Sequence, residues 1–225
     1  MEYKIFGDSM PYAVCEMSSG EAVYTESGGM SWMTDTFEMS TNMEGGLLKG
    51  LFRSFSGESI FMTTYTAKSK GKIAFASGYP GEIRALHLAQ GQSMICQKQA
   101  FMAAERSVQL DTFFQEKMSV GFFGGEGFIM QKLTGPGVAF VELDGSIAEY
   151  ELGAGEKMIV DTGNLAMCEE TVKISVQMVK GFKNILFGGE GLFLTSVTGP
   201  GKIWLQSMPF SNIADKILSL VPSKE

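Results

Sequence analysis

Phe187-Gly-Gly-Glu-Gly-Leu-Phe-Leu-Thr-Ser-Val-Thr-Gly-Pro-Gly-Lys-Ile-Trp-Leu-Gln-Ser207 decides the fold. It begins with a glycine-rich turn and continues into a short run rich in Leu, Phe, Thr and Val. Gly199-Pro-Gly201 breaks that run, and a second apolar run follows. Short β-branched and aromatic runs between glycine turns are strand signals. The same order occurs at Phe123-Gly-Gly-Glu-Gly-Phe128, with Gly135-Pro-Gly137 after it, and at Phe55-Ser-Gly-Glu-Ser-Ile60, with Ala67-Lys-Ser-Lys-Gly71 after it. The three starts lie 68 and 64 residues apart. The parallel continues upstream, where His87-Leu-Ala-Gln-Gly-Gln-Ser-Met-Ile-Cys96 matches Glu151-Leu-Gly-Ala-Gly-Glu-Lys-Met-Ile-Val160. Met17-Ser-Ser-Gly-Glu-Ala-Val-Tyr24 is a weaker third copy. Self-similarity at a fixed period is the signature of a repeat architecture. The expectation is a single domain over 1–225, all-β, with internal repeats at about 1–77, 78–142 and 143–208.

Composition supports this reading and removes alternatives. Hydrophobic residues make up 44% of the 225, enough to bury a sizeable core, and 28 glycines against six prolines suit many tight turns. A net charge of −7 argues against a protein built to grip phosphate backbones. Three widely spaced cysteines, Cys15, Cys96 and Cys168, make no disulfide framework and fit reduced thiols in a cytoplasmic setting. One histidine, His87, cannot build a multi-histidine metal centre. No signal peptide and no membrane-spanning run of about 18 apolar residues is evident.

Gly-Pro-Gly predicts a type II turn, with a bend or wide connection rather than the tightest hairpin. Helices are expected at two places. Gly45 to Phe55 carries Leu47, Leu48, Leu51, Phe52 and Phe55 at helical spacing, with Gly50 interrupting it. The tail, about 212–221, has Asn212 as cap, Asp215 answering it, an apolar stripe of Ile213, Ile217 and Leu220 or Val221, and Pro222 as the stop. That stripe must rest on the end of its own barrel or on a neighbouring subunit.

Several segments together resemble the altered-inheritance-of-mitochondria family. They are Gly45-Gly-Leu-Leu-Lys-Gly-Leu51, Ser56-Gly-Glu-Ser-Ile-Phe61, Tyr79-Pro-Gly-Glu-Ile83, Gln99-Ala-Phe-Met-Ala103, Gly125-Glu-Gly-Phe128, Val160-Asp-Thr-Gly163, Gly189-Glu-Gly-Leu192 and Gly199-Pro-Gly-Lys-Ile-Trp-Leu-Gln206. The resemblance covers nearly the whole chain. It implies a β domain of short double-stranded β-helix type, similar to the fold of the tryptophan RNA-binding attenuator protein. It brings no catalytic residues and no cofactor.

Glu58, Glu126 and Glu190 occupy one position in each repeat. Around a pseudo-threefold axis they would converge, and converging carboxylates hold Ca²⁺ or Mg²⁺ through oxygen. The competing reading has each Glu accept backbone N–H bonds in its own glycine turn. His87 is a general-base candidate with Ser93 and Asp111 as partners on paper, yet no nucleophile motif surrounds any serine. It reads as a surface side chain and the cysteines as core thiols. The methionine-rich start includes Met30-Ser-Trp-Met33, a patch to test for exposure. Lys68, Lys70 and Lys72 form one tight basic cluster, read as the solvated turn of a hairpin.

Three function classes follow. The leading one is a non-enzymatic homo-oligomeric scaffold or binding protein, trimeric by preference, with an unidentified protein partner. The second is small-ligand or RNA binding by analogy with the attenuator fold. The third is a metal-dependent β-helix enzyme, which a single histidine disfavours.

Overall fold

The computed structural model describes residues 1–41, 62–116, 128–178 and 193–220. The first third of the chain holds β1 (Glu2–Phe6), β2 (Tyr12–Met17), β3 (Ala22–Glu26), β4 (Trp32–Met33), β5 (Phe37–Thr41), β6 (Met62–Ala67) and β7 (Gly71–Ala76). The middle third holds β8 (Gly81–Leu88), β9 (Ser93–Gln97), β10 (Phe101–Glu105), β11 (Gln109–Glu116), β12 (Phe128–Thr134) and β13 (Gly137–Asp144). The last third holds β14 (Ile147–Leu152), β15 (Lys157–Asp161), β16 (Leu165–Glu169), β17 (Lys173–Met178), β18 (Phe193–Thr198), β19 (Gly201–Gln206) and the helix α1 (Phe210–Ser219). The described residues are therefore all-β apart from one helix and short helical turns.

Strand pairing is antiparallel throughout the four sheets, whose orders are β1-β2-β7-β4, β5-β6-β3-β10-β13-β8, β11-β12-β9-β16-β19-β14 and β15-β18-β17. One scheme recurs. β9 pairs with β12 as β3 does with β6 and β15 with β18. β8 pairs with β13 as β2 does with β7 and β14 with β19. Each six-stranded sheet joins three strands from each of two successive thirds, through β3–β10 and β9–β16.

Alternation places the core. In β2, Ala13, Cys15 and Met17 point inward and the residues between them are half-exposed, the period-two pattern of a strand with one buried face. Phe75 and Phe140 anchor one apolar cluster, and Phe128, Ile95 and Leu165 another. Complete burial of each such side chain contributes about 1.5–3 kcal/mol over exposure.

The Gly-Pro-Gly segments correct the expected turn. Gly135–Pro136 and Gly199–Pro200 are cis peptide bonds, which a type II turn does not contain. β12 and β13 lie in different sheets, as do β18 and β19, so the segment is a corner between sheets rather than a hairpin. Gly135 is needed because a Cβ there would lie 2.4 Å from the Ala89 carbonyl oxygen. Gly137 is needed because its φ is +138°, a region L side chains rarely enter. The first copy makes the same change of sheet without proline, so Lys68 and Lys70 sit on an exposed corner and Lys72 pairs with Glu16 at 2.8 Å.

Helix α1 begins at Phe210, two residues before the expected start, and ends at Ser219. Asn212 thus lies inside it rather than capping it. The Phe210 N–H donates to the Asp144 carboxylate at 3.1 Å, so a strand from the middle third supplies the acceptor that the local sequence was expected to give. Ile213 is half-buried, but Ile217 and Leu220 are exposed. The described residues thus cover the apolar stripe at Ile213 and leave it open at Ile217 and Leu220. The expected helix at 45–55 lies outside the described residues.

Candidate functional site

Small polar devices recur at equivalent places. In the turn before β3, Glu21 accepts from the Ser18 N–H at 2.6 Å; Gln92 accepts from Ala89 at 3.0 Å and Glu156 from Gly153 at 2.8 Å. Glu105 accepts the Val138 N–H at 2.8 Å, Glu169 that of Lys202 at 2.9 Å, and Thr34 that of Lys72 at 3.1 Å. These side chains satisfy backbone donors where strands begin or corners turn. They are consumed by the fold.

Where equivalent positions carry different residues, a cleft of about 400 Å³ opens. It lies between the end of β3, the end of β13, the one-turn 3-10 helix Lys98–Ala100 and the start of α1, lined by Glu26, Glu142, Asp144, Lys98, Tyr79 and Phe210 among others. Glu142 Oε2 accepts from Ser77 Oγ at 2.8 Å and from the Gly78 N–H at 3.1 Å. The Tyr79 and Phe210 rings stand 4.6 Å apart. Burial pushes the Asp144 carboxyl up to about 6; the negative charge of Glu142 adds to this and the Phe210 N–H opposes it.

The junction between the middle and last thirds shows what fills this space elsewhere. Strand registers place Gln97 where Glu26 stands and Gln206 where Glu142 stands. Gln97 Nε2 donates to the Gly163 carbonyl at 3.1 Å. Gln206 Nε2 donates to the same carbonyl at 3.0 Å and to Gln97 Oε1 at 3.3 Å. Both glutamines are about 5% exposed. A glutamate side chain has no N–H to give, so this amide ladder cannot form at the first junction. The cleft instead presents carboxylates beside one lysine, a setting for a small ligand with hydrogen-bond donors or positive charge. Among the described residues, no three His, Cys, Asp or Glu side chains gather to hold a metal.

The residues singled out in the sequence fall elsewhere. Glu58, Glu126 and Glu190 lie outside the described residues. His87 is exposed on β8, its Nε2 2.7 Å from the Tyr3 hydroxyl. Ser93 bonds instead to Thr134 Oγ1 at 3.0 Å. Ser93 and Asp111 belong to a different sheet from His87, so these three form no relay. Cys15, Cys96 and Cys168 are fully buried, and desolvation pushes each thiol up to about 12. A thiol so far from ionisation is no nucleophile. Trp32 of the Met30–Met33 patch is 49% exposed. Reading the chain for identity between repeats missed Glu26 and Glu142. The signal was the Glu-for-Gln differences at aligned positions.

Comparison with known proteins places relatives along nearly the whole chain. An uncharacterised protein of Streptococcus pyogenes serotype M6 is 29% identical over 223 residues, spanning 95% of this chain and 88% of that protein. The crystal structure of a Streptococcus pyogenes protein superposes with a TM-score of 0.77 at 26% identity, covering 98% of this chain and 99% of the other. Among the described residues, no helix is long and apolar enough to cross a membrane. The profile of the family described as mitochondrial biogenesis AIM24 matches residues 3–208, and the chain belongs to that family.

Proposed function

We propose that this protein is a homo-oligomeric scaffold or binding module with no catalytic cycle of its own, acting in the reducing cytoplasm. One observation carries the reading. Among the described residues, internal sheets are completed by strands from two successive thirds, whereas β15-β18-β17 and β1-β2-β7-β4 each contain strands from one third only. Exposed strand edges are normally covered, and a second chain offers the matching half. Ile217 of α1 and Leu220 just after it are exposed and add apolar surface for such contacts. On this reading the three thirds are true structural repeats of the attenuator-like type, and closure into a ring, a trimer by preference, covers the edges. Light scattering at micromolar concentration tests it: a multiple of 24.4 kDa is expected, and a mass near 24.4 kDa at all concentrations overturns it.

The cleft favours a second reading, small-ligand binding. A screen of small cationic and neutral ligands by thermal shift, repeated on Glu142→Gln, tests it. Ligand stabilisation lost in the variant supports this reading, and no stabilisation by any ligand sinks it. Phosphate-backbone binding fits the surface less well, with a net charge of −7. A metal-dependent enzyme would have to work with a single histidine, and metal analysis of the purified protein addresses it.

A further inference from the structure

The edges that end the chain are the same edges that join its thirds internally. At the first internal junction β10 adds to β3, with Ala104 opposite Tyr24 and Glu105 opposite Val23. At the second, β16 adds to β9, with Cys168 opposite Ile95, Glu169 opposite Met94 and Met167 opposite Cys96. Registers within each third make β4 the counterpart of β10 and β16. Met33 faces Ile73 as Ala104 faces Ala139 and Cys168 faces Ile203. Likewise β15 is the counterpart of β3 and β9, because Lys157, Ala22 and Ser93 face Thr198, Thr66 and Thr134. Among the described residues, β4 pairs only with β7, and β15 only with β18.

Burial tells the same story. Ile159 of β15 is 54% exposed, while its counterparts Tyr24 and Ile95 are 8% and 0% exposed. Trp32 is 49% exposed, while its counterparts Ala103 and Met167 are 0% and 1%. Positions buried at both internal junctions are thus open at the two ends, and on both ends they carry large apolar side chains. A junction that occurs twice within one chain leaves a third copy of each half unfilled.

We propose that β4 of one chain adds antiparallel to β15 of a second copy, continuing the sheet head to tail. This inference rests on the scaffold reading and specifies its contact. Carrying over the internal register sets Met33 opposite Ile159, Thr34 opposite Met158 and Trp32 opposite Val160. The same register brings Asp35 beside Lys157, because the residue at the Asp35 position, Arg106, donates its N–H to the Ala22 carbonyl. Opposite charges therefore meet at the rim of an apolar seam. The interface is heterologous, so it propagates until a ring closes.

The test mixes two full-length variants, Met33→Cys and Ile159→Cys, and treats the mixture with a short bis-maleimide. The native cysteines are buried and serve as the unreactive background in the parent protein. Cross-linked species at twice the chain mass, formed in the mixture and not by either variant alone, are expected. Ile159→Lys and Trp32→Lys, checked for native circular dichroism and melting, should each lower the mass seen by light scattering to that of one chain. Two results overturn the pairing and leave the scaffold reading standing: an oligomer that yields no cross-link in the mixture, or one whose mass both lysine variants leave unchanged. A parent protein that is monomeric throughout overturns both.

Discussion

Gln131 is the least comfortable side chain in the core. It lies in the middle of β12, between Cys96 of β9 and Thr112 of β11, and is 0% exposed. Among the described residues, neither its amide oxygen nor its amide nitrogen has a hydrogen-bond partner. The equivalent positions hold Thr63 and Thr195, and Thr195 donates to Thr162 Oγ1 at 3.0 Å. A buried polar group left unpaired costs about 1–3 kcal/mol. Methionine has a similar length and flexibility without the amide, and imperfect fit of a near-isosteric replacement costs under about 1.5 kcal/mol. With the fit cost set against that penalty, Gln131→Met should stabilise the protein by up to about 3 kcal/mol. At about 2–4 °C per kcal/mol for a chain of this size, the melting temperature should rise by several degrees. Urea unfolding at matched protein concentration is the assay, since the proposed assembly would make stability concentration-dependent. A variant no more stable than the parent would show that the amide is satisfied, and the reasoning would fail.

Three further outcomes are expected. The Asp144 carboxyl is raised from its ordinary 3.8 to about 6 in the folded protein. Its contribution is fully present below about pH 4 and is lost as the pH rises through 6; Asp144→Asn keeps an acceptor for Phe210 and should melt higher than the parent above pH 6, with the gap closing towards pH 4. Gly137→Ala should destabilise by about 1–3 kcal/mol, because φ is +138° and the new Cβ would sit 2.7 Å from Ser107 Oγ; Gly91→Ala, at φ +74° with open space around it, should cost less, and reversed magnitudes in chemical denaturation would count against this account. His87→Ala removes one exposed hydrogen bond to Tyr3 and should change stability by no more than about 1 kcal/mol, while Cys96→Ser, at a fully buried site, should cost about 1–3 kcal/mol.

Strands and their glycine turns were legible because both signals are local. Alternation in β2 and the spacing of the Gly-Pro-Gly corners are properties of short windows of chain. What the corner does is not local. Whether β12 and β13 fold back on each other or part into separate sheets depends on β9 and β10, strands some thirty residues earlier. The start of α1 was misplaced for the same reason, since its acceptor is Asp144, far away in sequence. The cleft was hidden because equivalent residues attract attention when they match. Glu26 and Glu142 matter because they differ from Gln97 and Gln206, and only the strand registers show that these positions correspond.

The pairing of β3 with β10 sets a condition on how the chain is made. Tyr24 meets Ala104, 80 residues later. At a synthesis rate of about 5–20 residues per second, the edge of β3 waits roughly 4–16 s for its partner strand to be translated. The edge of β9 waits a comparable time for β16. During each interval the newest part of the chain offers an incomplete apolar edge to whatever is nearby, including other nascent copies on the same message. Slower synthesis lengthens each interval and faster synthesis shortens it, so the exposure of these edges follows the rate of translation.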